Sequence, residues 1–140
     1  MLDKLLFIQS KIIPVPIEVI QDLVSKATKT DIQFITIKSR VPESQKRERV
    51  IPRQISMTLC KNYSGKNLEV IGSKHGGRDH ATVLHAVKTI NNGIDTRDEL
   101  ILDNYRMSKK EVDSWIKIEL EKREEFLFPS QEKTIFNTEK

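Results

Sequence analysis

The chain has 140 residues, enough for one domain with a true hydrophobic core but too few for that domain plus a nucleotide-hydrolysing engine. A single cysteine, Cys60, excludes an internal disulfide and a cysteine-rich zinc site, so a reducing cytoplasm is the expected compartment. The net charge of +4 divides unevenly, because residues 26–90 hold thirteen Lys and Arg against five Asp and Glu while both flanks are acidic. That is the footprint of a polyanion-binding module, or else of a solvated helical surface.

Residues 1–10 are apolar in places, but Asp3, Lys4 and Gln9 interrupt any signal-peptide core, and the segment reads as an amphipathic helical lead of about fourteen residues. No apolar stretch approaches the roughly 18–20 residues that cross a bilayer. After Pro14 and Pro16, the spacing of Ile17, Ile20, Leu23 and Val24 predicts a helix from about 17 to 29. Phe34, Ile35 and Ile37 suit a short turn docked on the core, and Lys38 to Arg49 reads as a basic loop.

A second helix is expected to start at Pro52 as its first helical residue, with Ile51, Ile55, Leu59, Cys60 and Tyr63 along its buried stripe. Arg53, Gln54, Lys61 and Ser64 face away from that stripe or border it. Ser64-Gly65 ends this helix, Asn67 caps a short one from Leu68 to about Lys74, and Gly76-Gly77 supplies a sharp turn. Asp79 then caps a helix that buries Val83, Leu84, Val87 and Ile90 and stops at Asn91-Asn92-Gly93. Two short helices joined by a glycine turn make a helix-turn-helix, here spanning 67–90. The capping-box patterns Thr96-x-x-Glu99 and Ser108-x-x-Glu111 predict further helices near 97–105 and 109–126, and residues 127–140 read as a disordered tail. The expected divisions are a lead over 1–14, a helix-turn-helix domain over 15–105, a C-terminal helix over 106–126 and the tail.

The stretches Pro52-Arg-Gln-Ile-Ser-Met-Thr-Leu-Cys60, Leu68-Glu-Val-Ile-Gly72 and Gly76-Gly-Arg-Asp-His-Ala-Thr-Val-Leu-His-Ala86 together resemble the C-terminal DNA-binding domain of the bacterial replication initiator DnaA. The likeness covers roughly 15–105 and is sharp over 50–90. It implies an all-α, Trp-repressor-like helix-turn-helix bundle that binds double-stranded DNA at a DnaA-box-like site in the control of replication initiation. The initiator's ATPase module has no counterpart here, so a stand-alone binder is expected, associated with the nucleoid.

A recognition helix enters the major groove by its N-terminus, which puts Arg78, Asp79, His80, Ala81 and Thr82 at base edges. Asp79 suits a cytosine amine and His80 a guanine N7, while Ala81 and the Thr82 methyl suit thymine methyls. The resemblance places Arg53, Gln54, Lys61 and Ser64 at phosphates. The helix starting at Leu68 aims backbone N–H groups at another phosphate, and His85, one turn into the recognition helix, either touches the backbone or packs. In the family an arginine of the basic loop enters the minor groove. With an insertion over 41–45 that arginine is Arg40, with Lys46 and Arg47 as substitutes. Ala81, Glu69 and His75 depart from the family pattern of threonine, proline and an aromatic residue, which bears on which site is bound.

Gly76-Gly77 lacks the downstream Lys-Ser or Lys-Thr of a phosphate loop, so no nucleotide or other cofactor is expected. His75, His80 and His85 stand five apart and rotate off one helical face, which argues against a metal site. Asp79-His80 has no nucleophile or second carboxylate beside it, so neither catalytic residues nor an enzyme is expected. Cys60 and Trp115 read as core. Two other functions stay open: a transcriptional regulator with a different operator, and an adaptor whose acidic C-terminal helix and Phe126-Leu127-Phe128 bind a replication protein.

Overall fold

The computed structural model describes residues 13–38 and 43–127, and among them every regular element is helical. Helix α1 spans Ile17–Thr28, α2 Gln33–Thr36, α3 Lys46–Tyr63, α4 Leu68–Lys74, α5 His80–Asp95 and α6 Glu99–Leu127, with a 3-10 turn over Glu43–Gln45. The expected N-terminal lead, Arg40 and residues 128–140 lie outside the described residues, apart from Ile13 and Pro14. No described helix is long and apolar enough to cross a membrane.

Helix α3 is the hub, in contact with α1, α2, α4, α5 and α6. Residues 55–60 of α3 are buried all round, including Ser56, Met57 and Thr58, so its apolar stripe widens to a full turn in the middle. A helix covered on every side has no solvent face to keep polar. Helix α1 buries Ile17, Ile20 and Val24 as the periodicity predicts, and Lys29 in left-handed conformation closes it by donating its N–H to the Ser25 and Lys26 carbonyls.

Helix α3 does not start at Pro52. It begins at Lys46, and Pro52 lies buried inside it. Pro52 has no N–H to give the Glu48 carbonyl, yet Glu48 is exposed, so water can take that acceptor. The early turns are held from outside: the Arg49 guanidinium lies 4.3 Å from the centre of the Phe34 ring, and Arg47 pairs with Asp98. Much of the expected basic loop is therefore helix.

Helix α5 likewise runs past Asn91-Asn92-Gly93 to Asp95. Gly93 is buried, and a Cβ there would lie 2.3 Å from Ile101 Cδ1, so this glycine lets α6 cross close to α5 instead of ending a helix. The stripe that α5 buries is Val83, Ala86, Val87 and Ile90; Leu84 is 45% exposed, because it is rotated about 100° from Val83.

The two expected C-terminal helices are one. Asp98, not Thr96, caps α6 by accepting the Ile101 N–H, while the Thr96 hydroxyl turns back to the Asn92 carbonyl. Nothing between Tyr105 and Lys109 breaks a helix, and Ile101, Ser108, Val112 and Ile116 form one buried stripe. Ser108 therefore faces inward, where its hydroxyl has no hydrogen-bond partner. Replacing it by Ala removes an unsatisfied buried dipole and raises helix propensity, so S108A should stabilise the fold by about 1 kcal/mol. Urea unfolding checks this, and an unchanged or lower midpoint would mean that the hydroxyl is satisfied. Trp115 and Leu120 pack half-buried against the core, as a core role for Trp115 requires.

Candidate nucleic-acid interface

Asn67 opens α4 by accepting the Val70 N–H at 2.9 Å, and Asp79 opens α5 by accepting the Thr82 N–H at 2.9 Å. Between them Gly76 and Gly77 both take positive φ, 82° and 67°, which makes the reversal tight. Gly76 is also a point of close approach: a Cβ there would lie 2.7 Å from the Lys38 nitrogen and 3.0 Å from the Ile37 carbonyl carbon. The chain thus enters the basic loop pressed against the helix-turn-helix turn. Gly72 performs the matching service inside α4, since its own Cβ would strike the Arg78 carbonyl oxygen at 2.1 Å. The Arg78 N–H bonds the Gly72 carbonyl at 2.8 Å, so α4 fixes the first residues of the recognition helix through backbone alone.

Asp79, His80, Ala81 and Thr82 are all exposed on the first turn of α5. Asp79 Oδ1 is committed to its own helix, accepting both the Thr82 N–H and the Thr82 hydroxyl at 2.8 Å. These bonds, the backbone one first, hold the Asp79 carboxyl below its ordinary range, so it stays an acceptor. Thr82 is exposed, with its hydroxyl committed to that bond with Asp79. Leu84, His85 and Lys88 are exposed farther along α5. Neither Leu84 nor Lys88 is among the expected contacts, although Lys88 stands seven residues after Ala81 and so continues the same helical face.

Arg78 sits differently. Its guanidinium folds back, Nη1 donating to the His75 carbonyl at 2.8 Å, and it is half-buried beside the turn. His75 is fully buried: Nδ1 donates to the Ile71 carbonyl at 2.7 Å, which leaves Nε2 to accept the Ser56 hydroxyl at 2.7 Å. Burial, reinforced by the charges of Arg53 and Arg78, pushes the His75 imidazole down to about 4, so it is neutral. This residue ties α4 to α3, a role visible in the sequence only as a departure from an aromatic position.

The remaining candidates fall into separate groups. Lys46, Arg47 and Gln54 line one cleft of about 550 Å³ between α3, α5 and the start of α6, with Thr89, Asn92 and Asp98. Arg47 is spoken for by its ion pair with Asp98. Arg53 is half-buried on α3, and Lys61 is exposed near its end. Ser64 is buried, its hydroxyl donating to the Cys60 carbonyl at 2.6 Å and accepting the Lys66 N–H. It closes α3, with both of these bonds made inside the fold. Leu68 opens α4 half-buried, and its backbone N–H precedes the first intrahelical donor. Cys60 is buried, and burial raises its thiol far above the ordinary range, in keeping with a core role.

Comparison with known proteins matches residues 17–90, a little over half the chain, to a family model described as the bacterial DnaA protein helix-turn-helix. A chromosomal replication initiator protein DnaA of Wolbachia sp. subsp. Brugia malayi is 45% identical over 78 residues, covering 54% of this chain and 17% of the relative. The protein of the same name from Flavobacterium psychrophilum is 43% identical over 82 residues, 59% of this chain and 16% of the relative. That of Azoarcus sp. is 48% identical over 64 residues, 44% and 13%. The chain therefore matches less than a fifth of the length of these relatives.

Proposed function

Because this chain belongs to the bacterial DnaA helix-turn-helix family, we propose that it binds double-stranded DNA sequence-specifically at a DnaA-box-like site, in the control of replication initiation. The observation that carries this is the first turn of α5, where Asp79, His80, Ala81 and Thr82 stand exposed on a turn locked by capping and by the Gly72 contact. A presented, rigid helix N-terminus is what major-groove readout needs. Asp79 Oδ2 accepts from a cytosine amine, His80 meets a purine N7, and Ala81, the Thr82 methyl and Leu84 offer apolar surface to thymine methyls.

Register comes from phosphates, held by Arg53, Gln54, Lys61 and the open N–H groups at Leu68, with His85 and Lys88 beside the groove. By the resemblance Arg40 enters the minor groove, with Lys46 and Arg47, at the start of α3, as its substitutes. Arg47 reaches DNA only by leaving Asp98, and Glu69 on the first turn of α4 opposes a nearby phosphate.

The test is fluorescence anisotropy with a duplex carrying TTATCCACA and a shuffled control. Wild type should prefer the first by at least about tenfold, and His80→Ala should abolish that preference while leaving salt-sensitive binding to both duplexes, since one good base contact contributes about 1–3 kcal/mol. Equal affinity of wild type for the two duplexes would reject the DnaA-box assignment. Ala81 beside exposed Leu84 favours a second reading, a regulator with a different operator. Selection from random duplexes would then return an unrelated motif. A replication-protein contact is proposed for the end of α6, where Phe126 and Leu127 are exposed.

A further inference from the structure

Helix α6 outruns the body it packs on. Its first part lies against α1, α3 and α5 and buries Ile101, Ser108, Val112 and Ile116, whereas among residues 117–127 no side chain is buried. That end lies beyond residues 17–90, which match the family model, and it rises about 16 Å. A free-standing helical end of that length is marginal in water, so it gains stability from a second surface. It also carries an uncovered apolar stripe, in which Leu120 is half-buried and Leu127 is 69% exposed. Leu120, Arg123 and Leu127 step by three and four residues, the spacing of a coiled-coil seam, and an arginine stem lies along such a seam while its head stays wet.

The charges beside the seam decide which partner fits. Set parallel and in register, two copies of this end would put Arg123 on Arg123 and Glu119 across from Glu124, like charge on like. Set antiparallel about a dyad between Glu121 and Lys122, each Lys117 faces the other copy's Glu124 and each Arg123 faces the other copy's Glu119. Ion pairs of opposite sign then flank the leucines on both sides of the dyad. Glu119 meets Lys122 of its own helix at 3.4 Å, which adds a second cation beside the same carboxylate.

We propose that residues 117–127 pair antiparallel with the same segment of a second copy of this chain, giving a two-fold dimer. The leucine contact is small, below the roughly 1,200 Å² of a standard interface, so association in solution is weak, with a dissociation constant of roughly 10–100 μM. The dyad sets two helix-turn-helix units in opposite orientation, so two sites arranged as an inverted repeat bind cooperatively. That consequence rests on the DNA-binding reading, and the dimer itself does not. Phe126, about 100° round the helix from Leu127, lies off the seam and stays open to a replication protein.

Sedimentation equilibrium of the full chain tests the dimer without DNA. Wild type should pass from monomer to dimer mass as its concentration rises toward about 1 mM. Glu119→Arg and Arg123→Glu should each weaken self-association by at least about tenfold, since each puts two like-charge pairs in place of two ion pairs. Mixing the two single variants should restore it, because each supplies the charge that the other lacks. A parallel pair would instead be strengthened by Glu119→Arg, which overturns the antiparallel geometry. Wild type that stays monomeric, or variants that associate as wild type does, overturns the dimer and leaves the stripe to an unlike protein. Circular dichroism of the dilute variants should match wild type, so that lost association is not lost folding. On a duplex with two inverted TTATCCACA sites, wild type should bind cooperatively and Arg123→Glu should not. A dimer that shows no affinity for this duplex keeps the pairing of α6 and rejects the DNA reading.

Discussion

Gly72→Ala is expected to be the most damaging single-methyl change in the helix-turn-helix. The added Cβ would meet the Arg78 carbonyl oxygen at 2.1 Å, its carbon at 2.9 Å and the Asp79 carbonyl oxygen at 3.2 Å, all of them backbone. No side chain can rotate away, so α4 must lift from α5 and the 2.8 Å bond from the Arg78 N–H to the Gly72 carbonyl must stretch. Overpacking of this kind costs about 3 kcal/mol, and alanine recovers about 1 kcal/mol through helix propensity. The net loss is roughly 2 kcal/mol of stability. Gly77→Ala is the control, because a Cβ there meets nothing within 4 Å and carries only the strain of φ 67°. Thermal melts and anisotropy on the pair give the answer. Gly72→Ala should melt lower than Gly77→Ala and should lose the box preference, since the displaced backbone carries Asp79 and His80. Similar melting and intact preference would mean that the close approach does not position the recognition helix.

The same residues show why parts of this site are legible in the amino-acid sequence. Asn67 and Asp79 are caps whose donors lie three residues away, and Gly76-Gly77 dictates a local reversal, so the turn and the exposed first turn of α5 follow from short-range chemistry. Pro52, Gly93 and Ser108 mislead for one shared reason. Each is a local stop or start signal that a packed neighbour overrides: the Phe34 ring and Asp98 for the start of α3, Ile101 for the end of α5, the core stripe for α6. Leu84 defeats the pattern because two apolar residues in succession leave the phase of a helix ambiguous, and the smaller Ala86 takes the inward position. The His75–Ser56 bond leaves no local signal at all. It joins Ser56 of α3 to His75, 19 residues later, and only the packing of α4 on α3 brings the two together.

That crossing also gives the protein an acid-sensitive joint. His75 is held near 4, well below the ordinary imidazole value of 6.5, by burial and by two neighbouring arginines. The unfolded chain then takes up a proton first as pH falls, so the contribution of neutral His75 is complete above about pH 6.5 and is lost as pH drops toward 4. Between pH 7 and pH 5 the loss should be about 2 kcal/mol. Glu18 and Asp79 do not interfere in that window: their carboxyls are held below the ordinary range, and what they contribute is lost only as pH falls through about 4 and lower. His75→Phe removes the titration and restores an apolar ring at the cost of the bonds to Ser56 and to the Ile71 carbonyl, about 1 kcal/mol each at pH 7. Urea unfolding of both proteins at pH 7 and pH 5 should show wild type losing most of that roughly 2 kcal/mol and His75→Phe almost none. The two curves would then converge at the lower pH. If both lose equally, the acid sensitivity lies elsewhere and the imidazole titrates in the folded protein much as it does in the unfolded chain.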